Sequence, residues 1–168
     1  MTAPKNIDLE ISAHADQHAS LRLWLRMLSC TTLIEDKIRQ KLKDEFNTTL
    51  PRFDLLAQLE KNPQGLTMGE LSKRMMISGG NVTAIVDQLE SEGTVIRQIG
   101  ETDRRSYRVI MTPSGRQSFT RMAQVHEEWI VELFADLIEQ DQSGLNDLLG
   151  KLKTSIYQNS NNAMAETE

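Results

Sequence analysis

Two helix starts placed close together restrict this chain more than any other feature. Thr67-Met68-Gly69-Glu70 has the form of a capping box, in which the Thr67 hydroxyl and the Glu70 carboxylate each satisfy an amide that a first helical turn leaves open. A short helix is expected from there to about Met75. Ser78 is a second N-cap, ahead of a helix with Val82, Ile85, Val86 and Leu89 as its buried stripe and Glu92-Gly93 as its stop. Val95 to Ile99 and Tyr107 to Met111 follow as β-prone runs, joined by Gly100-Glu101-Thr102-Asp103-Arg104-Arg105-Ser106.

The flanks read as helix. Leu21, Trp24, Leu28, Thr31, Ile38 and Leu42 recur at three- and four-residue steps or their sums, which predicts a long amphipathic helix from about Ser20 to Phe46. Leu50-Pro51 restarts the chain as a helix with Phe53, Leu55, Leu56 and Leu59 inward, ended by Asn62-Pro63-Gln64-Gly65. After the hairpin, Thr112-Pro113 opens a helix carrying Phe119, Met122, Val125, Trp129, Leu133 and Leu137 to about Glu139. Asp141 caps a last one with Leu145, Leu148, Leu149, Leu152 and Ile156 inward, and Asn159 to Glu168 reads as a fraying polar end. The expected fold is mainly α with a small β wing: a winged helix-turn-helix over residues 49–112, between N-terminal (1–48) and C-terminal (113–168) dimerisation helices.

A recognition helix needs small polar side chains at its N-terminal end, where base edges and phosphates come within reach of side chains and free amides. Ser78, Gly79, Gly80, Asn81, Thr83 and Gln88 are of that kind. The glycines admit a close phosphate, and Asn81 and Gln88 suit a purine edge. Arg104 and Arg105 place two permanent charges on the hairpin tip for phosphate or minor-groove contact, with Asp103 able to orient one of them. Each feature also has a plain reading, as a solvated helix end or a solvated loop.

Charge distribution agrees with this placement. Of 19 basic and 24 acidic residues, net −5, residues 1–65 carry nine of each and 66–112 six of each, so the acidic excess lies wholly in 113–168. That last part is poorly suited to a phosphate backbone. The single Cys30 excludes an intramolecular disulfide framework or a multi-cysteine zinc site within one chain. No apolar run approaches the ~18 residues of a membrane span, and Met1 to Asp8 lacks the pattern of a signal peptide, so a cytoplasmic protein with no membrane partner is expected. Scattered histidines and the lack of a glycine-rich phosphate loop or nucleophile-base pair give an enzyme no support, and no cofactor is expected.

The stretch Leu66 to Arg116 resembles the multiple-antibiotic-resistance regulator (MarR) family of winged-helix transcription factors. Thr67, Glu70 and Leu71 match its first helix, and Val82, Thr83, Val86, Leu89 and Glu90 its recognition helix. Gly93, Val95, Arg97, Asp103-Arg104-Arg105, Thr112 and Gly115 match the wing and the helix after it. Ser72 departs from the usual alanine and Thr94 from the usual leucine, which puts local packing in question. The resemblance implies a homodimer, interleaved through its terminal helices, whose hold on a double-stranded palindromic operator changes when a small ligand binds; repression is the family's usual mode. Apolar residues on the terminal segments, among them Ile7, Leu9, Ile11, Leu145, Leu149 and Ile156, independently favour a dimer over a monomer with folded-back ends.

His18, Arg22, Arg26 and Ser29 fall on one side of the first helix, opposite Trp24 and Leu28. Paired arginines suit a carboxylate or phosphate, which makes a small anionic aromatic acid or its coenzyme A thioester the expected ligand of His18, Arg22, Trp24 and Arg26. Leu23-Trp24-Leu25-Arg26-Met27-Leu28 with Leu50-Pro51-Arg52-Phe53-Asp54 also resembles regulators of hydroxycinnamate and related aromatic-acid catabolism. A solvated basic face is the alternative. His14 and His18 have metal-pair spacing but no cysteine partner, so no metal site is assigned. Cys30 reads either as core or as a peroxide sensor, and a winged-helix protein-interaction module remains a further alternative that the arginine tip disfavours.

Overall fold

A computed structural model describes residues 19–99 and 107–165, with side chains to residue 158. The chain divides into two compact units at His126/Glu127. Within the first, α1 (Ala19–Phe46) and α2 (Leu50–Glu60) precede β1 (Leu66–Thr67), α3 (Met68–Met75), α4 (Gly79–Ser91), β2 (Val95–Ile99) and β3 (Tyr107–Met111). Helix α5 (Pro113–Leu133) starts in the first unit and ends in the second, where α6 (Glu139–Ala165) follows.

Local chemistry accounts for most boundaries. Pro51 sits in the first turn of α2, where its missing amide costs nothing. Gly65 holds φ +78°, and a Cβ there would lie 2.6 Å from both the Val109 carbonyl oxygen and Ile110 Cγ1, so only glycine turns the chain into β1. A Cβ on Gly115 would overlap the Thr94 carbonyl, which already accepts from the Thr112 amide at 3.0 Å. Thr94 therefore acts here through its backbone, and its small side chain shares the crowded approach of α5.

The sheet is antiparallel in the order β1-β3-β2, with Leu66 opposite Val109 and Arg97 also opposite Val109 on the other side. The two-residue β1 extends the expected hairpin into three strands. Leu66, Val95, Val109 and Met111 bury one sheet face, and Leu71, Val82, Val86 and Leu89 fill the core from α3 and α4. Leu55, Leu56 and Leu59 of α2, with Ile38 and Leu42 of α1, complete it. Each full burial of this kind contributes about 1.5–3 kcal/mol. Phe53 stacks between Phe119, with centroids 5.4 Å apart, and His126 at 4.7 Å. Burial holds the His126 imidazole below its ordinary range.

The apolar stripe of α1 is buried at Ile38 and Leu42, whereas Leu21, Trp24 and Leu28 are exposed, because the protomer supplies nothing to cover them. Two expectations need correction. Leu145, Leu148, Leu149 and Ile156 of α6 are likewise exposed rather than inward. Helix α6 also begins at Glu139, before Asp141, and extends to Ala165. The sequence calls at Ile7, Leu9, Ile11, His14, His18, Asp103, Arg104 and Arg105 lie outside the described residues.

Candidate nucleic-acid interface

Helix α3, which leads into the turn before α4, is fixed at both ends. The Thr67 hydroxyl accepts from the Glu70 amide at 3.2 Å, and the Glu70 carboxylate accepts from the Thr67 amide at 2.8 Å, the reciprocal capping expected from the sequence. These bonds, with the Thr67 hydroxyl, hold the Glu70 carboxyl below its usual range. At the other end Met76 caps α3 in the left-handed region at φ +56°, and its side chain stands 91% exposed. The Ser72 hydroxyl donates to the Ile77 carbonyl at 2.6 Å, so the residue that departs from the family's alanine ties the turn together.

Helix α4 presents a bare polar N-terminus. The Ser78 hydroxyl accepts from the Asn81 amide at 3.4 Å, while Ser78, Gly79, Gly80, Asn81, Thr83 and Gln88 are all exposed. Neither Gly79 nor Gly80 has positive φ, and a Cβ on either would meet no atom within 4 Å. The protomer's own fold therefore gives no reason for glycine at two successive helical positions, where it costs up to about 1 kcal/mol each. What the pair leaves is backbone that an outside body can approach closely. The Thr83 hydroxyl donates to the Gly79 carbonyl at 2.9 Å, so it faces outward as an acceptor with a methyl beside it. Val82, Val86 and Leu89 anchor the opposite side of the helix in the core.

Acidic side chains on this helix are neutralised from the sheet. Arg97 of β2 sends one guanidinium nitrogen to Asp87 and another to Glu90, and Glu90 also accepts the Arg97 amide at 3.0 Å. The hydrogen bond to Asp87, followed by those to Glu90, raises the already high Arg97 pKa. Arg108 is used structurally, donating to the Gln64 carbonyl at 3.1 Å and the Gly65 carbonyl at 2.9 Å. The Arg97 bridge was not read from the sequence, because nothing in local spacing joins a helix face to a strand. Lys73 and Arg74, exposed in the last turn of α3, add positive charge before the turn and were also missed, although their adjacency is visible in the sequence.

The structure thus brings together the six candidates on α4. On α1, Arg22, Trp24 and Arg26 are exposed, but Ser29 is 6% exposed, so the supposed polar stripe turns into protein at that point. Arg22, Arg26 and Ser29 each already engage another group. Cys30, read as core or as a sensor, is exposed and is not core in the protomer. Among the described residues no group of three or more His, Cys, Asp or Glu is placed to hold a metal, and no helix is long and apolar enough to cross a membrane.

Comparison with known proteins gives this surface its context. A family model described as the MarR family matches residues 46–106. The crystal structure of a MarR family transcriptional regulator from Silicibacter pomeroyi is 30% identical, with a TM-score of 0.73 over 85% of this chain and 99% of that one. The HTH-type transcriptional regulator PecS of Dickeya dadantii is 26% identical over 139 residues, 82% of this chain and 84% of PecS. The fold also matches that of Sco3205, a MarR family regulator from Streptomyces coelicolor crystallised in complex with DNA, at TM-score 0.72 and 23% identity over 86% of this chain and 91% of that one. A capped helix-turn-helix, a three-stranded wing sheet and a 30%-identical regulator matched almost end to end lead to one conclusion: the chain belongs to the MarR family of winged-helix transcriptional regulators, and is not an enzyme.

Proposed function

We propose that the chain is a homodimeric, ligand-responsive repressor, acting in the cytoplasm, that holds a palindromic double-stranded operator and is released by a small aromatic acid or its coenzyme A thioester. The observation that carries the DNA reading is the open space before Gly79 and Gly80, beside exposed Ser78, Asn81, Thr83 and Gln88. A phosphate is received at the glycine backbone, and Asn81 and Gln88 read base edges in the major groove. Asp103, Arg104 and Arg105 supply the wing contacts by resemblance. Sco3205, which shares the fold, was crystallised in complex with DNA.

Dimerisation is supported by uncovered apolar surface. Leu21, Leu23, Trp24 and Leu28 on α1, and Leu145, Leu148, Leu149, Ile156 and Tyr157 on α6, are exposed in one chain. Apolar rows of this length are aggregation-prone unless a partner covers them. Two linked lobes also match half-sites one helical turn apart.

For the effector, Arg22 and Arg26 offer paired charge one turn apart on α1, His18 completes the set by its spacing, and Trp24 adds an exposed aromatic ring on the opposite side of the helix. A ligand releases DNA only through unequal affinity for the two states, and a coupling of about 1–3 kcal/mol corresponds to roughly 5- to 150-fold weaker operator binding. The test selects an operator from random DNA and titrates its complex with hydroxycinnamates, benzoates and their thioesters. The wild type should release DNA, whereas Arg22→Ala and Arg26→Ala should not, at unchanged effector-free affinity. Equal release by both variants moves the effector site elsewhere, and no release by any compound ends the aromatic-acid reading.

The exposure of Cys30 favours a second reading, a redox-responsive regulator. Peroxide would then weaken operator binding by the wild type and leave Cys30→Ser unaffected.

A further inference from the structure

A concavity away from Arg22 and Arg26 lies in the first unit at the end of α1. It measures about 660 Å³, within the range of small-molecule sites, and is walled by α1, α2, α5 and the C-terminal end of α4. Its lining is organised by charge. Leu56, Leu89 and Met122 give an apolar floor. Asp44 and Glu45 stand at the α1 end, whereas Arg121 comes from α5, with its guanidinium 5.8 Å from the centroid of the Phe46 ring. Arg52 and Glu92 are ion-paired across the lining, so Asp44, Glu45 and Arg121 are its remaining charged side chains.

One donor in this lining is unmet. The Nε of Arg52 is buried and is the buried side-chain polar atom without a hydrogen-bond partner among the described residues. A buried donor in that condition gains from an acceptor, which reaches it once the Arg52–Glu92 pair shifts. A plain carboxylate would meet the acceptors' complement in Arg52 and Arg121 but also the repulsion of Asp44, Glu45 and Glu92. A plain amine would meet the reverse. A molecule carrying both charges on neighbouring atoms satisfies both ends at once, with its body on the apolar floor.

We propose that this groove is a binding site for a small zwitterion of the α-amino-acid type with a bulky apolar side chain, its carboxylate taken by Arg121 and Arg52 and its ammonium by Asp44 and Glu45. The site is separate from the α1 stripe and includes Leu89 and Glu92 from the end of α4, so its occupant touches the recognition helix directly.

The probe is L-tryptophan, titrated calorimetrically into the full chain beside indole-3-propionate, which lacks the ammonium, and tryptamine, which lacks the carboxylate. Tryptophan should bind with a Kd at or below about 1 mM, and each single-charge analogue at least about tenfold more weakly. Arg121→Gln and Glu45→Gln, both at exposed positions, should each weaken tryptophan at least about tenfold without lowering the melting temperature. Arg22→Ala should bind tryptophan as the wild type does, which separates this site from the effector stripe. Absence of tryptophan binding, equal binding of either analogue, or wild-type affinity in both groove variants overturns the proposal.

Discussion

Arg97→Ala tests how the sheet and the recognition helix depend on each other. The Arg97 side chain is 24% exposed and bridges Asp87 and Glu90, whose side chains are 58% and 37% exposed. Hydrogen bonds to charged groups contribute about 1.5–3 kcal/mol when buried, and exposed pairs typically 0.2–1 kcal/mol. With both carboxylates partly in water the lower range governs, so losing the two contacts should cost about 0.4–2 kcal/mol. The backbone bond from residue 97 to Glu90 survives the substitution. For a chain of this size that is a drop of roughly 1–8 °C in melting temperature. DNA binding should suffer separately, because two carboxylates on α4 lose their counter-charge where phosphates approach. Affinity for a selected operator should fall about fivefold or more, and the slope of log affinity against log salt should become shallower. Melting and fluorescence-anisotropy titrations across a salt series read both effects. A lower melting temperature with unchanged affinity and salt slope would refute the electrostatic argument, and an unchanged melting temperature would show that the bridge contributes nothing to stability.

Met76→Gly should raise stability by about 0.5–1 kcal/mol, because φ +56° penalises a side chain that is 91% exposed and packs on little; a lower melting temperature would contradict this. Ser72→Ala removes the donor to the Ile77 carbonyl and should cost about 1 kcal/mol, whereas no loss would mean that the turn holds without it. The His126 pKa is depressed by burial, so the unfolded chain binds the proton more readily and stability rises with pH. Its contribution is full above the ordinary value of 6.5 and is lost as pH falls through the lower folded value. Melting between about pH 7 and pH 5 should therefore be less steep in His126→Phe, and an equal slope would assign the dependence to other groups.

Features set by neighbouring residues were readable in advance. The Thr67/Glu70 box, the Ser78 cap, Pro51 at the start of α2 and the Gly93 stop all satisfy or forbid backbone groups within one turn, and the structure has them where the sequence placed them. What depends on distant parts of the chain was not readable. Strand β1 is two residues long and exists only through its pairing with β3, so no periodicity announces it. The sequence gives Ser29 and Leu28 their helical phase but not the surface against which that phase is set, which is why Ser29 is buried and Leu28 exposed. Arg97 and Asp87 meet only because β2 folds back along α4. The polar end of α4 was legible as chemistry, whereas the empty space before Gly79 and Gly80 required coordinates.

That empty space permits a direct test of the DNA-binding assignment, in the double variant Gly79→Ala, Gly80→Ala. The added methyls meet nothing in the protomer, and alanine is the better helix former, so melting temperature should stay level or rise. If the helix N-terminus receives a phosphate at the glycine backbone, the same methyls stand in its way. Affinity of the variant for an operator selected by the wild type should then fall at least about tenfold, a loss of about 1.4 kcal/mol or more. A variant that melts no lower and binds that operator as tightly as the wild type would contradict the account, because DNA would not approach the helix where these residues stand.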